Sequence, residues 1–179
     1  MVMLRTLTWT DPRLRRRVLA LVVLALLPVA WYLGSPLFLN QTVNEALPAA
    51  PVAQVGEAAT GATALRSGQF TAIDGLHRGD GTATVYRQPD GTFVLRLDPF
   101  KVTNGPDLYV YLSGQPAPTD ATQLHQGSAI EVARLKGNVG SQNYALPANV
   151  DLSQFRSVVI YCKQFNVVFS TAALVAATG

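Results

Sequence analysis

At 179 residues with one cysteine, the chain has room for a single domain plus flanking segments, and it excludes any intramolecular disulfide framework. The formal charge of +3 is concentrated at one end: Arg5, Arg13, Arg15, Arg16 and Arg17 fall within the first 17 residues, leaving nine basic and ten acidic residues after them. That near-neutral remainder excludes a basic nucleic-acid-binding face.

Residues 1–17 read as a basic tail on the cytoplasmic side. Residues 18–39, "VLALVVLALLPVAWYLGSPLFL", carry no charge over 22 positions. As a helix this run would span roughly 33 Å, enough for the bilayer core. Basic residues before it predict that the amino end stays in the cytoplasm and that everything after residue 39 lies outside. A cleaved export signal shares this layout. The run is longer than the apolar part of such a signal, and no Ala-x-Ala site follows closely. The expectation is therefore an uncleaved single-pass anchor in the cell membrane.

Residues 40–66 are rich in Ala, Pro, Gly and Thr, hold three charges, and show no sustained apolar periodicity. They read as a flexible linker with an end-to-end distance of roughly 30 Å.

From about residue 67 to 179 the pattern changes. Short β-like runs recur between turn signals: "GQFTAI", "GTATVYR", "TFVLRLD", "LYVYLS", "AIEVARL", "QNYAL", "SVVIYC" and "VVFSTAAL". "QPDG" at 88–91 predicts a hairpin between the second and third runs. Phe93, Leu95 and Leu97 alternate with Val94, Arg96 and Asp98, which predicts one inward and one outward face. No long helical period occurs here. The predicted fold is an all-β, antiparallel sandwich or barrel-like domain.

The lone cysteine, Cys162, ends "SVVIYC". In a regular strand Val158, Ile160 and Cys162 share one face, and Val159, Tyr161 and Lys163 share the other. A cysteine on an apolar face behaves as a small hydrophobe, whereas a reactive one needs thiolate character and access. Its place near the strand end leaves both readings open. His77 and His125 are the only histidines, and with Cys162 they make a thin ligand set. No histidine lies near Cys162 in the chain, unlike the usual copper loops, so no metal is assigned. His77 and His125 read as loop residues and Asp107, in "NGPD", as a turn residue. All three are weak ligand candidates. The aromatics Phe70, Tyr109, Tyr111, Tyr144, Phe155, Phe165 and Phe169 read as core. No nucleophile elbow or phosphate loop is present. The reading leans away from an enzyme and leaves the cofactor unassigned.

Three ordered stretches, "GQFTAIDGLHRGDGTATVY", "FVLRLDPFKVTNGPDLYVYLS" and "LKGNVGSQNYALPANVDLSQFRSVVIYCKQFNVVFSTAAL", together resemble the DM13 domain family. The resemblance spans about residues 68–177. It implies an extracytoplasmic all-β module with a proposed role in redox or electron transfer. The family's characteristic cysteine maps onto Cys162, flanked by Tyr161, Lys163 and Phe165. The residue before it is often tryptophan in the family, where this chain has Tyr161. DOMON domains, which accompany the module in several animal proteins, are absent. The resemblance thus implies a separate redox or envelope protein as electron partner. The alternative function is a non-catalytic binding or adhesion domain of the cell envelope, with Cys162 structural.

Overall fold

A computed structural model describes residues 12–47 and 61–177, without the side chains of Tyr32, Leu33 and residues 35–38. The start of the basic tail and the middle of the expected linker lie outside the described residues. The chain divides into two units, Met1–Leu39 and Asn40–Gly179.

The first unit holds one helix, α1 (Pro12–Phe38). Pro12 opens it, a position where the missing N–H costs nothing. The helix takes in Arg13, Arg15, Arg16 and Arg17, so the boundary expected at residue 17 falls inside a continuous helix. Its apolar side chains over residues 18–31 are exposed, Leu24 to 67% and Trp31 to 70%. Among the described residues, no helix is long and apolar enough to cross a membrane.

The second unit is all-β. Its strands are β1 (Thr42–Asn44), β2 (Thr63–Ala72), β3 (Gly79–Arg87), β4 (Phe93–Val102), β5 (Leu108–Ser113), β6 (Ala129–Arg134), β7 (Val139–Ala145), β8 (Ser157–Cys162), β9 (Val167–Ala173) and β10 (Val175–Ala176). They form one sheet in the order β1-β7-β4-β3-β2-β9-β8-β5-β6, with β10 also on β2. The sheet curls into a half-barrel. Of the two expected layouts, sandwich or barrel, the structure takes a single curled sheet. Long β2 makes this possible, since it pairs with β3 along most of its length and with β9 at its far end.

The β3–β4 hairpin forms at "QPDG" as expected. Gln88 N donates to Thr92 O at 2.8 Å, and Gly91 takes φ +85°, which glycine adopts without strain. Leu95 and Leu97 face the core and Phe93 packs against it. Gly81, at φ +104°, lies against the backbone of Pro99, where a Cβ would collide with the Pro99 carbonyl.

The expected linker over 40–66 contributes to the sheet at both ends. β1 adds in parallel to β7, Thr42 opposite Val139 and Asn44 opposite Ser141. β2 starts at Thr63, before the expected domain start at 67. Polar contacts explain what apolar periodicity did not reveal. Glu45 Oε2 accepts from Asn143 N at 2.7 Å, and Lys136 Nζ reaches Glu45 Oε1 at 2.7 Å. Asn138 Oδ1 accepts from Gln41 N at 2.7 Å.

Two apolar clusters lie on opposite faces of the sheet. The larger fills the inside of the curl with Phe70, Val85, Leu95, Leu97, Phe100, Val110, Leu112, Ile160 and Phe169 among others. The smaller, on the outside, holds Tyr111, Leu124, Val159, Tyr161 and Val168. A single-turn helix, α2 (Ala121–Leu124), supplies Leu124 to it and is capped by Asp120, whose side chain accepts from Gln123 N.

Candidate functional site

β8 runs between the two clusters, and all six of its residues are buried. Val158, Ile160 and Cys162 belong to the inner cluster and Val159 and Tyr161 to the outer one, the alternation expected from the sequence. Cys162 is 0% exposed. It is the last residue of β8, held between Leu108 of β5 and Val167 of β9. Directly after it, residues 163–166 form an exposed turn in which Asn166 takes φ 55°.

The flanking residues face outward. Tyr161 donates from its hydroxyl to Asn166 Oδ1 at 3.0 Å, and burial pushes its phenol above the usual tyrosine range. Lys163 Nζ reaches Glu131 Oε2 at 2.9 Å and lies 4.4 Å from the centroid of the Tyr109 ring, a cation–π distance. The Glu131 carboxylate raises the Lys163 ammonium above its ordinary value. Phe165 is 60% exposed at the tip of the turn, so it is not the core aromatic that composition predicted. A tight turn gives its ring nothing to pack under.

Outside the sheet the aromatics form a cluster. The Tyr111 and Tyr161 rings meet edge-on at 5.6 Å, and His125 stands 6.0 Å from the first and 5.8 Å from the second. Tyr111, 7% exposed, donates its hydroxyl proton to Glu131 Oε2 at 2.7 Å. Burial first, and then this hydrogen bond, raise the Tyr111 phenol well above its usual range. The Glu131 carboxyl is lowered, first by Lys163 and then by Tyr111.

The weak ligand candidates are held in separate places. His77 Nδ1 lies 2.7 Å from Asp74 Oδ2, and its ring sits edge-on to Phe169 at 4.6 Å. His125 belongs with the outer tyrosines, on the face of β8 opposite Cys162. Asp107 accepts from Lys163 N through its carbonyl and lies 3.6 Å from Arg134. Among the described residues, no group of three or more His, Cys, Asp or Glu is gathered for a metal.

A family model described as "Electron transfer DM13" matches residues 69–174, more than half of the chain. The chain belongs to the DM13 family. No curated protein and no solved structure matches it.

The DM13 match takes in β3 to β9 and the last four residues of β2, and with them Cys162, Tyr161, Tyr111, Glu131 and Lys163. β1 lies outside the match. Tyr111 and Glu131 were missing from the sequence-level site. The available signal was "LYVYLS", where Tyr109 and Tyr111 fall on one face by period two. The meeting of Tyr111 with Glu131 depends on a register shift between Val110 and Tyr111 that no residue pattern announces.

Proposed function

We propose that the protein is a membrane-anchored, extracytoplasmic DM13 electron-transfer module in which Cys162 is the redox group. The match to a family described by electron transfer carries this reading. Cys162 is the chain's single thiol and ends a strand one residue before an exposed turn, which supports its role. With no second cysteine, oxidation by thiol exchange has to form a disulfide with a partner thiol. A separate redox or envelope protein is the partner. At 0% exposure the sulfur meets that partner only after the 163–166 turn opens.

Anchoring is supported by the sequence of α1. Four arginines precede a charge-free run of 22 residues, and the apolar side chains described there are exposed, as a lipid-facing helix requires. A reporter fused after Gly179 is expected to be active outside the cytoplasm. Activity in the cytoplasm alone would reverse the topology.

A second reading is favoured by the same burial. Cys162 sits in an apolar cluster, where a thiol is a good small hydrophobe, and the module then serves as a non-catalytic envelope-binding domain. Redox titration of the full chain in detergent against a glutathione buffer, read by maleimide gel shift, separates the two. Slow, potential-dependent mixed-disulfide formation is expected. A thiol untouched at every potential short of global unfolding removes Cys162 from the redox role and leaves the binding module.

A further inference from the structure

We infer that Tyr111 is a proton-coupled one-electron site, with the Glu131 carboxylate as acceptor of its phenol proton. The inference rests on reading the module as an electron carrier, and not on Cys162.

A phenol that loses an electron becomes a strong acid. In a dry site the charge is costly to hold, so oxidation is practicable only where a base waits for the proton. Tyr111 meets that condition. Its ring is buried in the outer cluster, and its hydroxyl donates to Glu131 Oε2 at 2.7 Å. Lys163 fixes the same oxygen from the other side at 2.9 Å and keeps the carboxylate ionised and in place. Tyr144 and Tyr161 lack this partner. Tyr144 donates to the Gln142 side-chain oxygen and Tyr161 to that of Asn166, and a neutral amide is a poor proton acceptor. Tyr109 lies under the Lys163 cation, which disfavours removing an electron from its ring.

The step balances. A one-electron, metal-centred oxidant at the surface takes one electron from the Tyr111 ring. The Tyr111 O–H bond breaks, its proton passes to Glu131, and a neutral phenoxyl radical remains. The oxidant is reduced by one electron. Return of an electron and of the proton from Glu131 restores the phenol and the carboxylate. The Tyr161 ring packs edge-on against Tyr111 at 5.6 Å. His125 closes the third side of the cluster.

The test is flash oxidation of the full chain in detergent with photogenerated tris(bipyridyl)ruthenium(III), followed by electron paramagnetic resonance and transient absorption. A tyrosyl radical is expected in the parent and in Tyr109→Phe, and its loss in Tyr111→Phe. Glu131 is exposed, so Glu131→Gln keeps the question open to measurement even if Tyr111→Phe folds poorly. That variant should slow radical formation at least about tenfold, the low end for a positioned proton acceptor. The parent should also slow in heavy water, and Glu131→Gln should lose most of that slowing. A purely structural tyrosine would produce neither effect. A radical that persists in Tyr111→Phe, or forms at the parent rate in Glu131→Gln, overturns the assignment and leaves the electron-carrier reading standing. A chain that yields no radical on any residue overturns both.

Discussion

Cys162 and Tyr161 are neighbours in the chain and lie on opposite faces of one sheet, the thiol in the inner core and the phenol in the outer cluster. One peptide unit thus joins two buried environments that share no other side chain of β8. Replacing Cys162 perturbs the first of them. Cys162→Ala leaves a small void and should cost roughly 1–2 kcal/mol. Cys162→Ser should cost at least as much, because it puts a hydroxyl into an apolar site. Urea melts of both variants check this, together with maleimide labelling of the parent. Labelling as fast as a free thiol, with both variants as stable as the parent, would contradict the buried geometry.

Acid should destabilise the domain, and Asp74 gives a separable share. Hydrogen bonds from the His77 side chain, then from the His77 and Leu76 backbone N–H groups, lower its carboxyl from 3.8 to about 2. A carboxylate lowered by folding stabilises the fold above its unfolded value, and that contribution is lost as pH falls through its folded value. For Asp74 the window runs from about pH 4 down to about pH 2. Asp74→Asn should be less stable than the parent at pH 6, and the two should converge as pH approaches 2. Asp98, Asp151 and Glu45 are also lowered, so both chains lose stability together and the difference isolates Asp74. A constant difference across the window would mean that the Asp74–His77 contact does not persist in solution.

Gly81→Ala should destabilise strongly. At φ +104° the backbone is one that L side chains rarely adopt, and the added Cβ would meet the Pro99 carbonyl. The strain alone is worth about 1–3 kcal/mol, and the collision adds to it. Gly91→Ala is the comparison, since Gly91 also has positive φ (+85°) but open space around it. Denaturant midpoints should rank parent, Gly91→Ala, Gly81→Ala in falling order. A reversed order of the two variants would mean that the Gly81–Pro99 approach is relieved in solution.

A chain beginning at residue 40 should be more stable than one beginning at 67. The shorter chain lacks β1 and the first four residues of β2. With them go the Glu45 contacts to Lys136 and Asn143, and the Arg66 bonds to Leu152 O at 3.0 Å and Phe155 O at 2.7 Å. Each such hydrogen bond contributes on the order of 1 kcal/mol, so a difference of at least about 2 kcal/mol is expected. Equal urea midpoints for the two chains would assign β1 and the start of β2 no role in stability.

What was legible in the sequence was local. The period-two alternation of "SVVIYC" correctly divided β8 between two faces, and "QPDG" correctly marked a hairpin, because side-chain direction and turn chemistry need only neighbours in the chain. Less legible was whatever depends on distant partners. β1 is three residues long and pairs in parallel with β7, almost a hundred residues away. α2 is one turn, too short to show a helical period, yet its Leu124 helps bury the outer tyrosines. Tyr111 meets Glu131 because a bulge shifts the β5–β6 register. Phe165 departs from the core position its aromatic ring predicts, because it is 60% exposed in a turn with no wall to pack against.

The parallel seat of β1 on β7 also changes what a protease can do to this chain. A cut between residues 47 and 61 would sever the covalent path from α1 to the rest of the domain. It would leave Thr42, Val43 and Asn44 paired with Val139, Gly140 and Ser141, and Glu45 still gripped by Lys136. After such a cut only non-covalent contacts, these among them, would join the two pieces. Release becomes a dissociation with its own affinity, which salt can weaken through the Glu45–Lys136 pair and which rejoining can reverse.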